Sequence, residues 1–503
     1  MTPVPRPSYS RREVSGDQLR SRIAELLEHG YRLVTVAAHD DGSGMRVVYV
    51  LCAADPDRRE ELSVPVDAQD PVVPSLASQS FPASRFEREM RDLFGIEPLG
   101  HPQPRRLVLH QHWPEGWYPM RRASTTPPPM DEDAQPYPFV PVEGSGVYEV
   151  PVGPVHAGLI EPGHFRFFVV GETILRMKAR LWFTHKGIER LVEGCDVNEG
   201  LEVAQRISGD STVGHGLAYL LSVEAALHIE VEPAQQRVRA ALVEMERLYN
   251  HVADLGALCN DVGYSVANAL ALTIRERLLR LNDDVAGHRL LRGALVLGGV
   301  RVRRLPTGSE LDELASQIES LDAMVRTNAL VLDRFVGTAV LSAEDAHLMG
   351  TLGVVARASG SAFDARDAHP FVTMPESFRV VTETDGDVWA RYRVRRRELE
   401  VSLDLLRAWS AEELFAPSNG NVSSEEWAGD ATTLRCGLGL VEGWRGTIVH
   451  RAELDGHRIS RLKVVDPSFF NWPALPVSLT DTILPDFPLA NKSFNLSYAG
   501  NDL

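Results

Sequence analysis

Apolar residues recur with helical spacing over 17–29, "DQLRSRIAELLEH", and then alternate along "YRLVTVAAH" and "MRVVYVLCAA". The cluster "DDGSG" between those two runs predicts a turn joining two strands. In "PASRFEREMRDLFGIEPLGHP" a helical period returns. Ser84 followed by Glu87 predicts a capping box there, and Gly95 a stop. Residues 1–120 therefore read as a small α/β domain.

Periodicity then lapses. Residues 121–146, "RRASTTPPPMDEDAQPYPFVPVEGSG", hold six prolines and predict an extended linker. Beyond it, "GVYEVPVGPVHAGLIEPGHFRFFVVGE" alternates with glycine punctuation, as a hairpin or small sheet would. Helical patterns dominate afterwards, over 173–193, 211–229, 233–258, 264–286, 309–336 and 392–409. A late β segment, "RGTIVHRAELDGHRISRLKVV", precedes a final helix near 472–483. The fold class is α+β, with residues 147–503 a large, mainly helical domain carrying a small β appendage.

Composition narrows the function. A net charge of −17 argues against a general nucleic-acid binder, which needs a basic face. Cys52, Cys195, Cys259 and Cys436 are too scattered for a CxxC, a zinc ribbon or a local Fe–S motif, and fit a reducing cytoplasm. No secretory leader is evident, and no run of apolar residues is long enough to span a bilayer. A chain docked on a membrane partner, itself without a span, is consistent with all of this.

Several stretches carry a resemblance over nearly the whole length. They are "FEREMRDLFGIEPLGHPQPRRLVLHQHWP", "GPVHAGLIEPGHFRFFVVGE", "HKGIERL", "VVARASGSAFDARDAHPF" and "EGWRGTIVHRAELDGHRISRLKVVDPSFFNWPAL". Through them the chain resembles the large subunit of membrane-bound, energy-converting [NiFe] hydrogenases of the formate hydrogenlyase and hydrogenase-4 type. It equally resembles the fused C and D subunits of respiratory complex I. The resemblance implies a complex I C-subunit-like domain at 1–120 and a hydrogenase large-subunit or D-subunit-like domain at 147–503.

Nickel–iron chemistry in that family rests on two CxxC pairs, because soft thiolates hold nickel and bridge it to iron. Here the first pair falls on Ser208 and Ser211 and the second on Ser497 and Gly500. A serine hydroxyl is a hard, neutral ligand, so no nickel is expected, and the two first serines read as caps of a helix N-terminus. The sequence stops three residues past Gly500, so no clipped tail is expected. Complex I's quinone pair is not reproduced either. His156 matches the first histidine of its loop, His164 lies four residues beyond the second, and Gly209 stands at the tyrosine position, with Tyr219 further on.

The resemblance leaves Glu189 as a proton-relay candidate, with a raised pKa expected from burial and a salt bridge to Arg or Lys as the plainer reading. Asp210 and His215 are candidates for an oxygen/nitrogen pocket, or for a satisfied hydrogen-bond pair. His185 and Lys186 read as structural, Arg357, Asp364 and Arg366 as a buried ion network, and "RYRVRRREL" as a solvated helix face. The implied function is that of one component in a complex I-like redox complex at the inner face of the cell membrane. No cofactor is expected in this chain. Electrons would come from a small Fe–S partner subunit and pass to an acceptor, with quinone a candidate, coupled to proton or ion translocation by antiporter-like membrane subunits. A non-catalytic scaffold or coupling role is the alternative, and an active [NiFe] hydrogenase a more distant one.

Overall fold

The computed structural model describes residues 7–156, 160–410 and 435–503. The N-terminal unit is a four-stranded sheet in the order Ser8–Glu13, Arg58–Val66, Met45–Ala53, Arg32–Asp40. The first pair is parallel and the others antiparallel, with the predicted turn at residues 41–44. Arg32–Asp40 is buried along almost its whole length, because the helix Phe81–Phe94 and the strand Arg458–Val465 both pack on it.

The Phe81–Phe94 helix starts earlier than expected. Ser80 is its N-cap, Pro82 occupies its first turn, and Gly95 ends it at φ 71°, as predicted. Ser84 and Glu87 form no capping box. Ser84 Oγ lies 3.1 Å from His101 Nε2, and the buried Glu87 carboxylate accepts from Ser75 Oγ at 2.6 Å and from the Leu76 amide at 2.5 Å. Asp92, further along the same helix, accepts the amides of Leu107, Val108 and Leu109 and so folds the following segment back on the helix. Residues 121–146 contain no helix or strand and are mostly exposed.

Val147–Val152, His164–Val170 and Thr173–Arg180 form a three-stranded antiparallel sheet. The helix expected over 173–193 is thus a strand followed by the short helix Ile188–Leu191. The register slips between Phe168 and Val169, so Leu175 is an extra residue on its strand. That bulge buries Ile174 and Met177, three apart, and three-residue spacing is what a helix would show.

The remaining helices largely follow the pattern: Thr212–Leu227, Pro233–Asp261, Ser265–Ala286 and Val388–Ser410. The 309–336 period is two helices, Gly308–Arg326 and Ala329–Phe335, separated where Asn328 accepts from the Val331 amide and starts a new one. The final helix near 472–483 is instead a chain of short ones, Pro467–Asn471, Ala474–Ser478, Phe487–Phe494 and Tyr498–Asp502. On Val388–Ser410 the basic run is only half solvated. Arg391 and Arg395 point inward, to the carbonyls of Gly386 and Ala339 and to Asp254 Oδ2 at 2.7 Å.

Arg435–Gly443, Gly446–Asp455 and Arg458–Val465 make the C-terminal sheet. The Thr212–Leu227 helix lies directly across its first strand. A Cβ at Gly439 would sit 2.0 Å from the Ala218 carbonyl oxygen, and one at Gly437 2.1 Å from that of Ser222. Glycine lets helix and strand backbones touch, which fixes the height of the helix start over the sheet. A continuous apolar interior runs from the N-terminal sheet through Phe165 to Val465, Phe469, Trp472 and Tyr498.

Candidate functional site

The four positions Ser208, Ser211, Ser497 and Gly500 converge. Ser208 and Ser211 lead into the Thr212–Leu227 helix, and Ser497 and Gly500 start Tyr498–Asp502. Ser208 Oγ is 2.8 Å from Ser497 Oγ, and Ser497 Oγ accepts the Gly500 amide at 2.8 Å. All three serines are buried. Ser497 is therefore a true N-cap. Ser208 lies outside the helix, however, and Ser211, at its N-cap, makes no side-chain capping bond. The caps expected from Ser208 and Ser211 come instead from Glu246, whose carboxylate accepts from Val213 N at 2.6 Å and Gly214 N at 3.0 Å.

A charged pair closes the cluster. Arg445 donates to both oxygens of Asp210, at 2.6 and 2.7 Å, and Asp210 Oδ1 also accepts from Ser208 Oγ at 3.0 Å. Gly443 pairs with Gly446, so Trp444 and Arg445 are the hairpin tip, which aims the guanidinium at the serines. Trp444 Nε1 donates to the Asp210 carbonyl at 2.9 Å, and the Arg445 guanidinium lies 3.8 Å over the Trp444 ring. Burial opposes ionisation of Asp210, but Arg445 wins and holds its carboxyl below the ordinary range.

Asp210 and His215 are not brought to one another by any hydrogen bond shown here. His215 bonds Asp466 Oδ2 through Nε2 at 3.0 Å and His450 Nε2 through Nδ1 at 3.1 Å. Asp466 is held by its own role as cap of Pro467–Asn471, its Oδ1 accepting Ser468 N at 2.7 Å. Its Oδ2 would be 2.5 Å from a Cβ at Gly500. Burial drives the His450 imidazole well below its ordinary value, so it is neutral.

This donor set does not fit a nickel–iron centre. It offers hydroxyls where thiolates are needed, one of the four positions has no side chain, and Asp466 fills the space a side chain there would enter.

Glu189 is buried, but not as a raised acid. Arg461 donates to it at 2.8 Å, Lys463 lies 3.0 Å away, and the Val464 amide donates at 3.0 Å. Burial alone would raise its pKa, but Lys463 and Arg461 more than offset that and hold it at about 2. The expectation of a raised value is corrected, because the β appendage supplies two cations that lie far away in sequence. His185 Nδ1 bonds the Asp502 carbonyl at 2.6 Å and Lys186 Nζ the Ile207 carbonyl at 2.6 Å, both structural roles.

His156 lies in the segment before the strand His164–Val170, and His164 is the first residue of that strand. His156 Nε2 bonds the Gly163 carbonyl at 2.8 Å, and His164 Nδ1 lies 3.3 Å from the Gly153 carbonyl. Glu161 accepts the Ala499 amide at 2.9 Å and so pins the loop beside Ser497. Neither histidine makes a side-chain hydrogen bond to the serines. Tyr219 is directed elsewhere, to the Val197 carbonyl at 2.7 Å. The network of Arg357, Asp364 and Arg366 is buried as expected, with Arg357 also bound to Glu398 and Glu442 and Arg366 to Glu244.

Sequence reasoning did not single out Arg445, Glu246, His450 or Asp466. Arg445, His450 and Asp466 lie inside the matched stretch "EGWRGTIVHRAELDGHRISRLKVVDPSFFNWPAL", which marked them as a group. Glu246 had no signal, being one acid on a helix with others.

Residues 13–129 match the respiratory-chain NADH dehydrogenase 30 Kd subunit family and residues 261–428 the 49 Kd subunit family. Formate hydrogenlyase subunit 5 of Escherichia coli is 32% identical, over 87% of this chain and 78% of its own. Hydrogenase-4 component G of the same organism is 32% identical, over 87% and 77%. The fused C/D polypeptide of the Phocaeicola vulgatus NADH-quinone oxidoreductase is 28% identical, over 78% and 81%. In fold, the chain is similar to a chain of an archaeal membrane-bound sulfane sulfur reductase, with TM-score 0.64 and 24% identity over 73% of this chain and 100% of the other.

Proposed function

The chain belongs to the family that unites the large subunits of membrane-bound hydrogenases with the fused C/D polypeptides of NADH-quinone oxidoreductase, and we propose that it serves a complex I-like redox complex without a nickel–iron centre. Electrons arrive from a small Fe–S partner subunit. They pass to an acceptor, a quinone, bound against the loop of His156 and the start of Tyr498–Asp502, with proton or ion translocation coupled through membrane subunits. The observation that carries this reading is the Ser208–Ser497 contact closed by Asp210–Arg445. The family's metal position is built from hydroxyls and an ion pair, so the chemistry left to it is proton and charge handling.

Exposure supports placing the partner face beside this site. Val155 is 84%, Leu191 58% and Ile160 49% exposed, and these flank the His156 loop and the Glu189 segment. Apolar side chains at such exposure beside a buried polar site suit a protein partner. No helix among the described residues is long and apolar enough to cross a membrane, so membrane attachment would run through that partner and its neighbours.

A second reading, a coupling or scaffold role without turnover at this site, is favoured by the same closure, since Ser208, Ser211 and Ser497 are all buried and Ser208 meets Ser497. Purification from membranes in mild detergent separates the two. The proposed function requires co-purifying Fe–S and polytopic subunits, no stoichiometric nickel, and quinone reduction sensitive to quinone-site inhibitors. The same complex without quinone reduction supports the coupling role. Near-stoichiometric nickel overturns both.

A further inference from the structure

Glu246 differs from Asp210, the acid of the serine cluster itself. Its side chain is buried, on the inner face of Pro233–Asp261 and directly beneath the start of Thr212–Leu227. Two neighbouring carboxylates are matched by cations, Asp210 by Arg445 and Asp254 by Arg395. Glu246 has no ion pair among the described residues. Its partners are two backbone amides, one per oxygen, from Val213 and Gly214. Asn250, one turn along the same helix, donates both to the Glu246 carbonyl at 3.0 Å and to the Asp210 carbonyl at 2.8 Å, which ties the acid's turn to the serine cluster.

Two opposed effects act on such a group. Removal from water favours the neutral acid, whereas the amides and the positive end of the helix favour the anion. The charged and titratable neighbours are few. Asp210 faces it from the preceding loop, and Arg247 and Tyr249 from its own helix. Burial prevails over the two amide bonds and lifts the carboxyl to about 8. A buried acid so placed exchanges its proton near neutral pH, and any added negative charge on the Asp210 side strengthens its hold on that proton.

We propose that Glu246 is the proton-holding group of the serine cluster, carrying one proton at neutral pH, holding it more tightly when negative charge arrives at the site and giving it up as the medium turns alkaline. The exchange moves one proton and no electron: the neutral acid, whose carbonyl oxygen accepts from one of the two amides, releases a proton to solvent and becomes the carboxylate, whose two oxygens accept from both. The proposal rests on the redox reading above for the source of the charge.

The test begins with the full chain. With its folded value raised to about 8, the wild type should lose stability as pH rises from about 5 to about 9, because the unfolded chain releases this proton near ~4.3. Glu246→Gln keeps an acceptor for one of the two amides, as the neutral acid does, but cannot titrate. It should melt level with wild type at about pH 5 and higher by about 2–4 °C at about pH 9. Parallel melting curves would overturn the proposal. Infrared difference spectra of the wild type between the same pH limits provide a measurement that needs no variant. A protonated-carboxyl carbonyl band must fade at high pH, and its absence at neutral pH counts equally against the idea. In the detergent-purified complex at about pH 8, where the group is half ionised, reduction with dithionite should strengthen that band in wild type and not in Glu246→Gln. An unchanged band sinks the coupling to charge. If the pH results hold while the complex reduces no quinone, the redox reading fails and the proton-holding role of Glu246 stands.

Discussion

Asp466 sets what position 500 can be. Its carboxylate caps one helix, binds His215 and stands 2.5 Å from where a Cβ at Gly500 would fall. Gly500→Ala should therefore cost about 1–3 kcal/mol, as overpacking does. Adding Asp466→Ser should recover part of that loss in a double-mutant cycle measured by chemical denaturation, and strict additivity would show that the two do not meet. Glu189 gives a second residue-scale expectation. Glu189→Gln leaves Arg461 and Lys463 buried with one carboxylate fewer, and should cost about 3–5 kcal/mol at neutral pH. With its folded value depressed to about 2, the carboxylate contributes stability above its unfolded value of ~4.3, and the contribution is lost as pH falls through about 2. The gap between variant and wild type should thus close under acid, which a pH series of unfolding curves would check. That Glu189 matters was legible from "HKGIERL"; the sign of its shift was not, because its cations stand at 461 and 463.

Among elements, the Thr212–Leu227 helix and the strand beneath it decide the geometry of the serine cluster. Gly439→Ala would press a methyl into the Ala218 carbonyl and should cost about 1–3 kcal/mol. Gly308→Ala, with nothing within 4 Å of the added carbon, should be near neutral when the two variants are compared by thermal melting. Most helices were readable from their period, since a long amphipathic face is a strong signal. The failure at 173–180 has a local cause, for the bulge at Leu175 gives a strand the spacing of a helix. The failure at the chain's end is one of length. Four short helices in succession each have too few residues to show a period, and their limits come from caps such as Asp466 and Ser497.

For the whole molecule, residues 121–146 lack ladder bonds of their own and are mostly exposed, and brief proteolysis should cut there. The fragments, of about 120 and 360 residues, should nevertheless elute together under native conditions. The N-terminal sheet shares its apolar interior with Phe165, Phe469, Trp472 and Tyr498, and Lys463 reaches across to Glu89 at 2.6 Å. Fragments that separate without denaturant would contradict that shared core. First cuts inside 211–286 would contradict the boundary itself.

Local patterning by itself determined the α+β class, the paired strands after residue 30, the unstructured stretch before residue 147 and the long helices, because these depend on spacings within a few turns of chain. It also determined which residues stand at 208, 211 and 497, hard hydroxyls where soft metals take thiolates. Only the tertiary structure decided what those hydroxyls touch. Ser208 meets Ser497 from the far end of the chain, Arg445 reaches Asp210 from a hairpin tip, and Glu246 rather than a serine caps the helix. The physical reason is that hydrogen bonds and ion pairs act over a few ångströms of space. The residues that set the charge and proton state of this site are separated by up to hundreds of positions along the chain.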